Sequence, residues 1–240
     1  RTVGIICLSV GEETTILSLL ERIMVQHLHE VKMNYYEVYG CGRVEETREQ
    51  FMDAVSHIKH RTLLTPDRLW VLWAMARYTL PLGECIAEGG CYLGGASKLM
   101  SIASDNKKPL HIFDTFAGIP QEYIIEGNRC RGGEFAVNQD QVRYTLGGIS
   151  AALYQGLVPD SLNQLRDEKF SLIHLDMDVY LPTLEALKFF WPRMVDGAVV
   201  VIDDYGCIEP VTKAVDEFAE LIGTRVVVTA MMQCLLHKEG

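Results

Sequence analysis

Two apolar runs that each end in a pair of aspartates constrain the fold of this chain more than any other feature. The first is Ile173–Asp178 (IHLDMD) and the second is Val199–Asp204 (VVVIDD). A helix-like segment lies between them, which predicts two parallel strands whose carboxyl ends share one edge of a sheet. Carboxylates gathered at one edge repel one another unless a cation lies among them. The pattern therefore favours a hard divalent cation such as Mg2+ over the alternative that these aspartates are helix N-caps.

The composition of the chain excludes several classes of function. The chain has 240 residues, of which 48% are hydrophobic, and its formal net charge is -10. An acidic chain without a long basic run is a poor partner for nucleic acid or for an anionic membrane surface. Its apolar segments are shorter than the roughly 20 residues of a membrane helix. We therefore expect a globular protein whose partner is a small molecule.

The cysteines and the first residues bear on the location of the protein. Seven cysteines are scattered along the chain without a C-x-x-C pair. This argues against a disulfide framework or a zinc ribbon and predicts reduced thiols in a cytoplasmic protein. The acidic stretch Gly11–Glu13 does not resemble a signal-peptide cleavage site. Because residue 1 is Arg rather than Met, the sequence is compatible with a processed protein or a domain of a larger one.

The first 80 residues have the periodicity of helices. Trp70 and Trp73 give one of these helices a large apolar face, which we interpret as either core or the interface of a homo-oligomer. Residues 1–80 are therefore predicted to form a helical cap in front of a domain over residues 81–240. Helices are predicted at Glu12–His29, at Glu45–His60 and from Pro66, next to the N-cap candidate Thr65, to about Leu80.

After Gly83, short apolar runs alternate with amphipathic segments. This alternation predicts a doubly wound, mostly parallel seven-stranded α/β sheet with helices on both faces, two of them at Glu185–Met194 and Val211–Ile222. The last two strands are too close in sequence for a crossover helix, so they are predicted to be antiparallel. The strand predictions are Cys85–Ala87, Leu110–Phe113, Ala151–Tyr154, Leu172–Leu175, Ala198–Ile202, Arg225–Thr229 and Gln233–His237.

The residues that follow the first three strands suit a nucleoside-bearing cofactor. Gly90 and Gly94 lie in a glycine-rich turn, EGGCYLGGAS, which lacks both the G-x-G-x-x-G spacing and the P-loop lysine. Asp114 follows the second strand, where a carboxylate can accept both hydroxyl protons of a ribose or can be an ordinary loop residue. Gly156 follows the third strand and leaves room for a flat ring. Beside the aspartate pairs, this set indicates a cofactor next to a chelated substrate.

Four spaced motifs resemble those of the macrocin-type O-methyltransferases: Glu88–Ala96, Asp114–Pro120, Asp176–Thr183 and Asp203–Tyr205. These are class I enzymes that use S-adenosylmethionine and Mg2+ to methylate sugar hydroxyls on natural products. The resemblance extends from Thr65 to the C-terminus. It implies a Rossmann-like methyltransferase core with a lid over residues 119–140.

The resemblance also implies roles for individual residues. Asp178 is either a further metal ligand or the first candidate for the catalytic base, with Asp176 beside it as the second catalytic residue. His174 is a weaker candidate, which we interpret as a core histidine. The implied cofactor contacts are Glu88, Gly90, Gly94, Ala96, Ser97, Asp114, Thr115, Phe116, Gly156 and Asp176. The implied metal ligands are Asp176, Asp203 and Asp204. Tyr180 and Tyr205, as aromatic residues near strand ends, are candidates either for acceptor contacts or for packing.

Two further observations refine this interpretation. Related catechol-type methyltransferases have a lysine just after the first metal-binding aspartate, but residues 177–182 contain none. The stretch from Gln121 to Gln139 is long, rich in glycine and charge, and without a core pattern, which is typical of a lid.

Three alternatives remain open at the level of sequence. A nicotinamide-dependent oxidoreductase would explain the fold and Asp114 but leaves the aspartate pairs unexplained. A catechol-type methyltransferase keeps every motif and changes only the acceptor. A methyltransferase domain of a multi-domain synthase would act on a tethered chain, or would be degenerate, although an intact acidic set argues against degeneracy.

Overall fold

The computed structural model of the protein describes residues 42–165, 167–229 and 231–239. The chain divides into two compact units, residues 1–50 and 51–240, and all the predicted site residues belong to the second unit. The helix predicted at Glu12–His29 lies outside the described residues. Within the described part, none of the helices combines the length and the apolar character needed to span a membrane.

The described residues form one seven-stranded sheet in the order β3-β2-β1-β4-β5-β7-β6. Neighbouring strands from β1 to β5 are parallel, whereas β7 runs antiparallel to both β5 and β6. The predicted antiparallel C-terminal pair is therefore confirmed. The strands are β1 (Cys85–Gly89), β2 (Leu110–Asp114), β3 (Ala151–Gln155), β4 (Phe170–Leu175), β5 (Met194–Ile202), β6 (Val227–Val228) and β7 (Cys234–His237).

Wherever a helix was predicted within the described residues, the observed helix lies close to it, with one clear difference. The helix predicted at Glu185–Met194 begins at Tyr180 and ends at Phe190, and Met194 is instead the first residue of β5. A proline in the first helical turn removes no hydrogen bond, so Pro182 does not delay the helix start. The α-helices are α1 (Gly42–Ile58), α2 (Pro66–Tyr78), α3 (Gly95–Ala103), α4 (Gln139–Leu146), α5 (Tyr180–Phe190) and α6 (Glu209–Ile222).

Alternate residues of the central strands enter two separate hydrophobic layers. Ile173 belongs to the layer that contains the buried residues of α5 and α6, whereas its neighbour Leu172 belongs to the layer of α2 and α3. Because successive side chains of a strand point to opposite faces, the two layers lie on opposite sides of the sheet. This arrangement confirms the predicted doubly wound fold.

The apolar face of α2 is part of the second layer. Leu72 and Trp73 are buried there, and the ring of Trp70 lies edge-on to that of Phe51 with 5.0 Å between centroids. The two tryptophans therefore contribute to the core, and they lend no support to a homo-oligomer. The division into a cap over residues 1–80 and a core over 81–240 stays a prediction.

The register of the central strands determines which residues meet at the functional edge. Gly89 of β1 pairs with Leu175 of β4, which in turn pairs with Ile202 of β5. Two further bonds continue the ladder beyond these residues: Asp176 N–H donates to Gly89 O, and Asp203 N–H donates to Leu175 O, each at 2.9 Å. The aspartate pairs therefore leave adjacent strands at the same level.

Candidate active site

A cavity lies at the carboxyl edge of the sheet, beyond the ends of β1 to β5. Its walls also contain residues 62–64, which precede α2, and side chains of the loop between β2 and α4, among them Tyr123 and Phe135. In open α/β sheets this edge is where ligands bind. Of the residues singled out from the sequence, the lining includes Glu88, Gly90, Ala96, Asp114, Thr115, Gly156, Asp176, Asp178, Asp203 and Asp204.

Three predicted cofactor contacts, Gly94, Ser97 and Phe116, lie outside this lining. A side chain at Gly94 would point at Val142 of α4, with the added Cβ 3.1 Å away. The Ser97 hydroxyl is buried and donates to the Glu88 carboxylate. The Phe116 ring is buried in the hydrophobic layer of α2 and α3. The structure therefore gives these three residues a supporting position behind the wall.

The glycine-rich turn brings the backbone of β1 against that of β4. Gly90 has φ +80°, and a Cβ added there would lie 1.9 Å from the backbone oxygen of Asp176. Gly95, at the start of α3, donates its N–H to Arg61 O at 2.9 Å, and a Cβ there would lie 2.5 Å from the same oxygen. These two close approaches require glycine. They join the turn to the aspartates after β4 on one side and to the segment before α2 on the other.

The Asp114 carboxylate is held by backbone donors and still has room for a ligand. Its Oδ2 accepts the Cys91 N–H and its Oδ1 accepts the Phe116 N–H, each at 2.8 Å. An ionised carboxylate has about four acceptor positions, so roughly two remain for hydroxyl groups. The lining position and these free acceptor positions fit the ribose diol of a nucleoside.

Glu88 and His174 form a buried pair beneath the cavity. The His174 Nδ1–H donates to Glu88 Oε1 at 2.8 Å, and both side chains are fully buried. Within the described residues, His174 Nε2 is buried without a hydrogen-bond partner. His174 is absent from the cavity lining, which agrees with its interpretation as a core histidine rather than a base.

Three carboxylates converge closely enough to share one metal ion. Asp176, Asp178 and Asp204 each offer an oxygen, and these oxygens all lie within 4.8 Å of one another. Oxygen donors of this kind are the ligands that Mg2+ prefers, and one or two carboxylates with additional waters or substrate groups suffice for it. The donor set of this structure therefore fits the cation that the sequence predicts.

Burial and mutual repulsion make the charged forms of these carboxylates costly. Burial, followed by repulsion from Asp203 and Asp178, raises the pKa of Asp176 well above its usual range. Burial and a hydrogen bond with Asp204 raise the pKa of Asp178 to about 7. A bound cation would favour the charged forms and reverse these shifts.

Asp203 has a different environment from its predicted ligand partners. Its Oδ2 accepts a hydrogen bond from Arg68 Nη1, and its Oδ1 accepts one from Gln233 Nε2 at 2.6 Å. Burial raises its pKa, while attraction to His174 and Arg68 opposes the rise. The structure thus departs from the implied ligand set at Asp203 and favours the ligand alternative for Asp178. Asp178 joins the group of three carboxylates, and Asp203 instead contacts the side chains of Arg68 and Gln233.

The backbone at two of the aspartates is in the left-handed region. Asp178 has φ +62° and Asp204 has φ +60°, a conformation that aspartate adopts more readily than most residues. The Asn128 amide of the loop between β2 and α4 donates to the backbone oxygen of Asp178 at 2.6 Å. The turn that orients the Asp178 carboxylate is therefore tied to the loop that covers the cavity.

The predicted acceptor contacts Tyr180 and Tyr205 are not part of the cavity wall. The Tyr180 hydroxyl donates to the Glu217 carboxylate, and the Tyr205 hydroxyl donates to Asp216 Oδ1 at 2.7 Å. Both partners belong to α6. The prediction assumed that aromatic residues after a strand face the ligand, but carboxylates on the neighbouring helix engage both hydroxyls.

Three elements of the site were not found from the sequence. Arg68, the segment of residues 62–64 and Asn128 all lie far in sequence from the aspartates that they approach. One signal was available for Arg68, which occupies the first turn of α2, where the helix dipole disfavours a cation. The other two carry no pattern that distinguishes them from ordinary loop residues.

Comparisons with known proteins identify what this chain is similar to. The family model described as Macrocin-O-methyltransferase (TylF) matches residues 81–231. Demethyldecarbamoylnovobiocin O-methyltransferase of Streptomyces niveus is 29% identical over 149 residues, which are 55% of this chain and 57% of that protein. In Streptomyces olivaceus, 8-demethyl-8-(2,3-dimethoxy-alpha-L-rhamnosyl)-tetracenomycin-C 4'-O-methyltransferase is 28% identical over 136 residues, 50% of this chain and 52% of that protein. The chain therefore spans just over half the length of these curated relatives.

A solved structure supports the fold independently. The O-methyltransferase NovP has a TM-score of 0.67 and 22% sequence identity, with 75% of this chain and 83% of that chain covered. At this level of identity the likeness bears on the fold alone. It agrees with the mostly parallel sheet and the antiparallel β7 described above.

The close approach at Gly90 predicts a large loss of stability on substitution. Gly90→Ala is expected to lower the free energy of unfolding. Left-handed strain at an alanine contributes roughly 1–2 kcal/mol to this loss, and overpacking against the Asp176 carbonyl contributes about 1–3 kcal/mol more. Gly148→Ala is the control for the positive φ, because Gly148 has φ +80° and nothing within 4 Å of the added Cβ. Urea unfolding measures the free energy of unfolding of both variants. An equal loss of stability in the two variants would contradict the close approach to the Asp176 carbonyl.

The raised pKa of Asp178 predicts a specific dependence of stability on pH. In the folded state the Asp178 carboxyl stays protonated up to about pH 7, whereas the ordinary pKa of an aspartate is 3.8. Stability from this group is therefore present below about pH 4 and lost as the pH rises to about 7. In EDTA, the melting temperature of the wild type should fall relative to that of Asp178→Asn across this window. Parallel profiles for the two proteins would refute the prediction, and Asp196→Asn, an exposed site on β5, is the control.

Proposed function

Because the chain belongs to the macrocin-O-methyltransferase (TylF) family, we propose that it moves a methyl group from S-adenosylmethionine to a hydroxyl of a natural product. The proposal includes Mg2+ as the resident cation. The observation that carries it is the shared edge: the glycine turn, Asp114 and three converging carboxylates all face one cavity. A nucleoside-bearing methyl donor and a cation-bound acceptor need these two halves side by side.

The residues of β1 and β2 would hold the cofactor. Gly90 lines the cavity in the turn that packs on the Asp176 backbone, and Asp114 offers acceptor positions for the ribose hydroxyls. Ala96 and Gly156 line the same part of the cavity and present little bulk. When bound there, S-adenosylmethionine supplies an electrophilic methyl group. The chain contributes position and the exclusion of water, which together lower the entropic part of the barrier.

Asp176, Asp178 and Asp204 would hold the cation, with Asp203 beside them. When bound, Mg2+ supplies a Lewis acid for an acceptor hydroxyl. The Asp178 carboxylate also lines the cavity, where one of its oxygens can act as a general base. We propose that an Asp178 oxygen takes the hydroxyl proton as the oxygen–carbon bond forms and the sulfur–carbon bond breaks.

A sugar hydroxyl is the acceptor that we favour. The name of the Streptomyces olivaceus relative includes a rhamnosyl group, and the Streptomyces niveus relative acts on demethyldecarbamoylnovobiocin by name. Among the described residues of the cavity wall there is no lysine, which disfavours the base of catechol-type enzymes. Leu63, Leu64, Ile119 and Val158 add apolar surface for the body of a natural product. Action on a carrier-tethered chain would use the same site.

The loop between β2 and α4 is proposed to be a lid. The Ile119 N–H donates a backbone hydrogen bond of 3.0 Å to Glu134 O, which closes the loop on itself. Tyr123 lines the cavity, and Asn128 contacts the turn at Asp178. Closure of such a loop excludes water from the reacting atoms.

The cysteines of the described residues are all free thiols, which supports a reducing, cytoplasmic location as part of the proposal.

Cofactor identity can be tested at Asp114. Wild-type protein should bind S-adenosylhomocysteine in a calorimeter, with or without Mg2+, and should not bind NADH. Asp114→Asn should weaken this binding by about 10-fold to 100-fold, because an amide replaces an acceptor oxygen with a donor. NADH binding without S-adenosylhomocysteine binding would contradict the proposed function and favour an oxidoreductase.

The roles of two carboxylates can be separated by kinetics. Asp178→Asn should keep S-adenosylhomocysteine binding but, even at saturating Mg2+, slow methyl transfer by about 10²- to 10⁴-fold, the usual contribution of a general base. Asp176→Asn should raise the Mg2+ concentration needed for half-maximal turnover. Asp196→Asn serves as the control on the opposite end of β5. Unchanged turnover in Asp178→Asn would remove its assignment as base, and unchanged Mg2+ dependence in Asp176→Asn would remove its assignment as ligand.

A further inference from the structure

Arg68 is the one basic side chain among the described residues that line the cavity. It belongs to the first turn of α2, and its side chain is 15% exposed. The cavity edge that it faces carries four aspartates, three of which are close enough to share an ion. A single cation in this position has a strong electrostatic influence on whatever else binds there.

Three hydrogen bonds fix the guanidinium of Arg68. Nη1 donates to Asp203 Oδ2 and to Asp204 Oδ1, the latter at 3.0 Å. Nε donates to the backbone oxygen of Met231, in the segment before β7, at 2.8 Å. The side chain therefore bridges α2, the end of β5 and the approach to β7.

Asp204 belongs to two competing arrangements. It pairs with Arg68, and it is also one of the three carboxylates that converge with oxygens within 4.8 Å of each other. A divalent cation on this carboxylate would lie close to a guanidinium of the same sign, and like charges in a partly buried site repel strongly. Asp203 differs, because Gln233 holds its other oxygen independently of Arg68.

We propose that Arg68 is a positioning residue that competes with the divalent cation for Asp204. The guanidinium holds the carboxylates of Asp203 and Asp204 and thereby sets the affinity of the site for the cation. Cation binding weakens the contact between Arg68 and Asp204, and Asp203 keeps its bond from Gln233. This inference rests on the metal part of the proposed function.

The sign of one measurement separates competition from a merely structural role. If Arg68 competes, removal of its charge tightens cation binding. If Arg68 only orders the carboxylates, its removal loosens the site and weakens cation binding. Mn2+ is a suitable probe, because it takes the same oxygen ligands and its free form is measured directly by electron paramagnetic resonance.

The experiment compares four variants with the wild type at pH 8 and fixed ionic strength. Arg68→Met and Arg68→Gln should bind Mn2+ at least about tenfold more tightly, and Arg68→Lys, which keeps the charge, should remain near the wild type. Arg77→Met is the matched control, since Arg77 lies on the same helix and pairs with Asp105 at 3.1 Å on the surface. Its Mn2+ affinity should not change.

Folding is checked by circular dichroism and by S-adenosylhomocysteine binding, neither of which needs the cation. Arg68→Gln retains hydrogen-bond donors and covers the case in which Arg68→Met does not fold. In both neutral variants, Mg2+ should also raise the melting temperature more than it does in the wild type. Unchanged or weaker Mn2+ binding in a folded neutral variant overturns the inference while leaving the proposed function intact. Absence of Mn2+ binding in the wild type and in every variant overturns the inference together with the metal part of the proposed function.

Discussion

Mutual repulsion among the carboxylates at the ends of β4 and β5 is the constraint to which the surrounding structure responds. Strand register brings the aspartate pairs to one level, since Gly89, Leu175 and Ile202 lie side by side. Backbone bonds then continue the ladder to Asp176 and Asp203. Charges placed this close in a buried site need compensation. Some neighbours of the site offset the negative charge of these aspartates, and the rest of that charge is left for a ligand to offset.

Compensation is unequal across the four aspartates. Asp203 accepts hydrogen bonds from Arg68 and Gln233, so the protein itself offsets part of the cost of its charge. Asp176 and Asp178 face other carboxylates, and their raised pKa values reflect that exposure to like charge in addition to burial. The protein thus leaves one part of the edge in need of a cation. This inequality supports the proposed cation at the group of three and the proposed positioning role of Arg68.

The proposed cofactor half and the proposed cation half of the site are directly connected. The backbone of Gly90 lies so close to the Asp176 carbonyl that no side chain fits between them. Asn128 of the proposed lid bonds the backbone beside the Asp178 carboxylate. A shift of the glycine turn or of the loop would therefore move the carboxylates as well. Methyl transfer needs such a fixed relation, because the donor and acceptor atoms must remain in line.

Local patterns in the sequence determined much of this protein: the alternation of strands and helices, the antiparallel end of the sheet and the aspartate pairs at one edge. These follow from periodicity and from the rule that parallel strands end together. Only the tertiary structure decided which carboxylates converge, that Arg68 reaches Asp203 and Asp204 across more than a hundred residues, and that Tyr180 turns towards α6. Such choices depend on competition between distant partners for the same polar atoms, and no local spacing encodes the outcome of that competition.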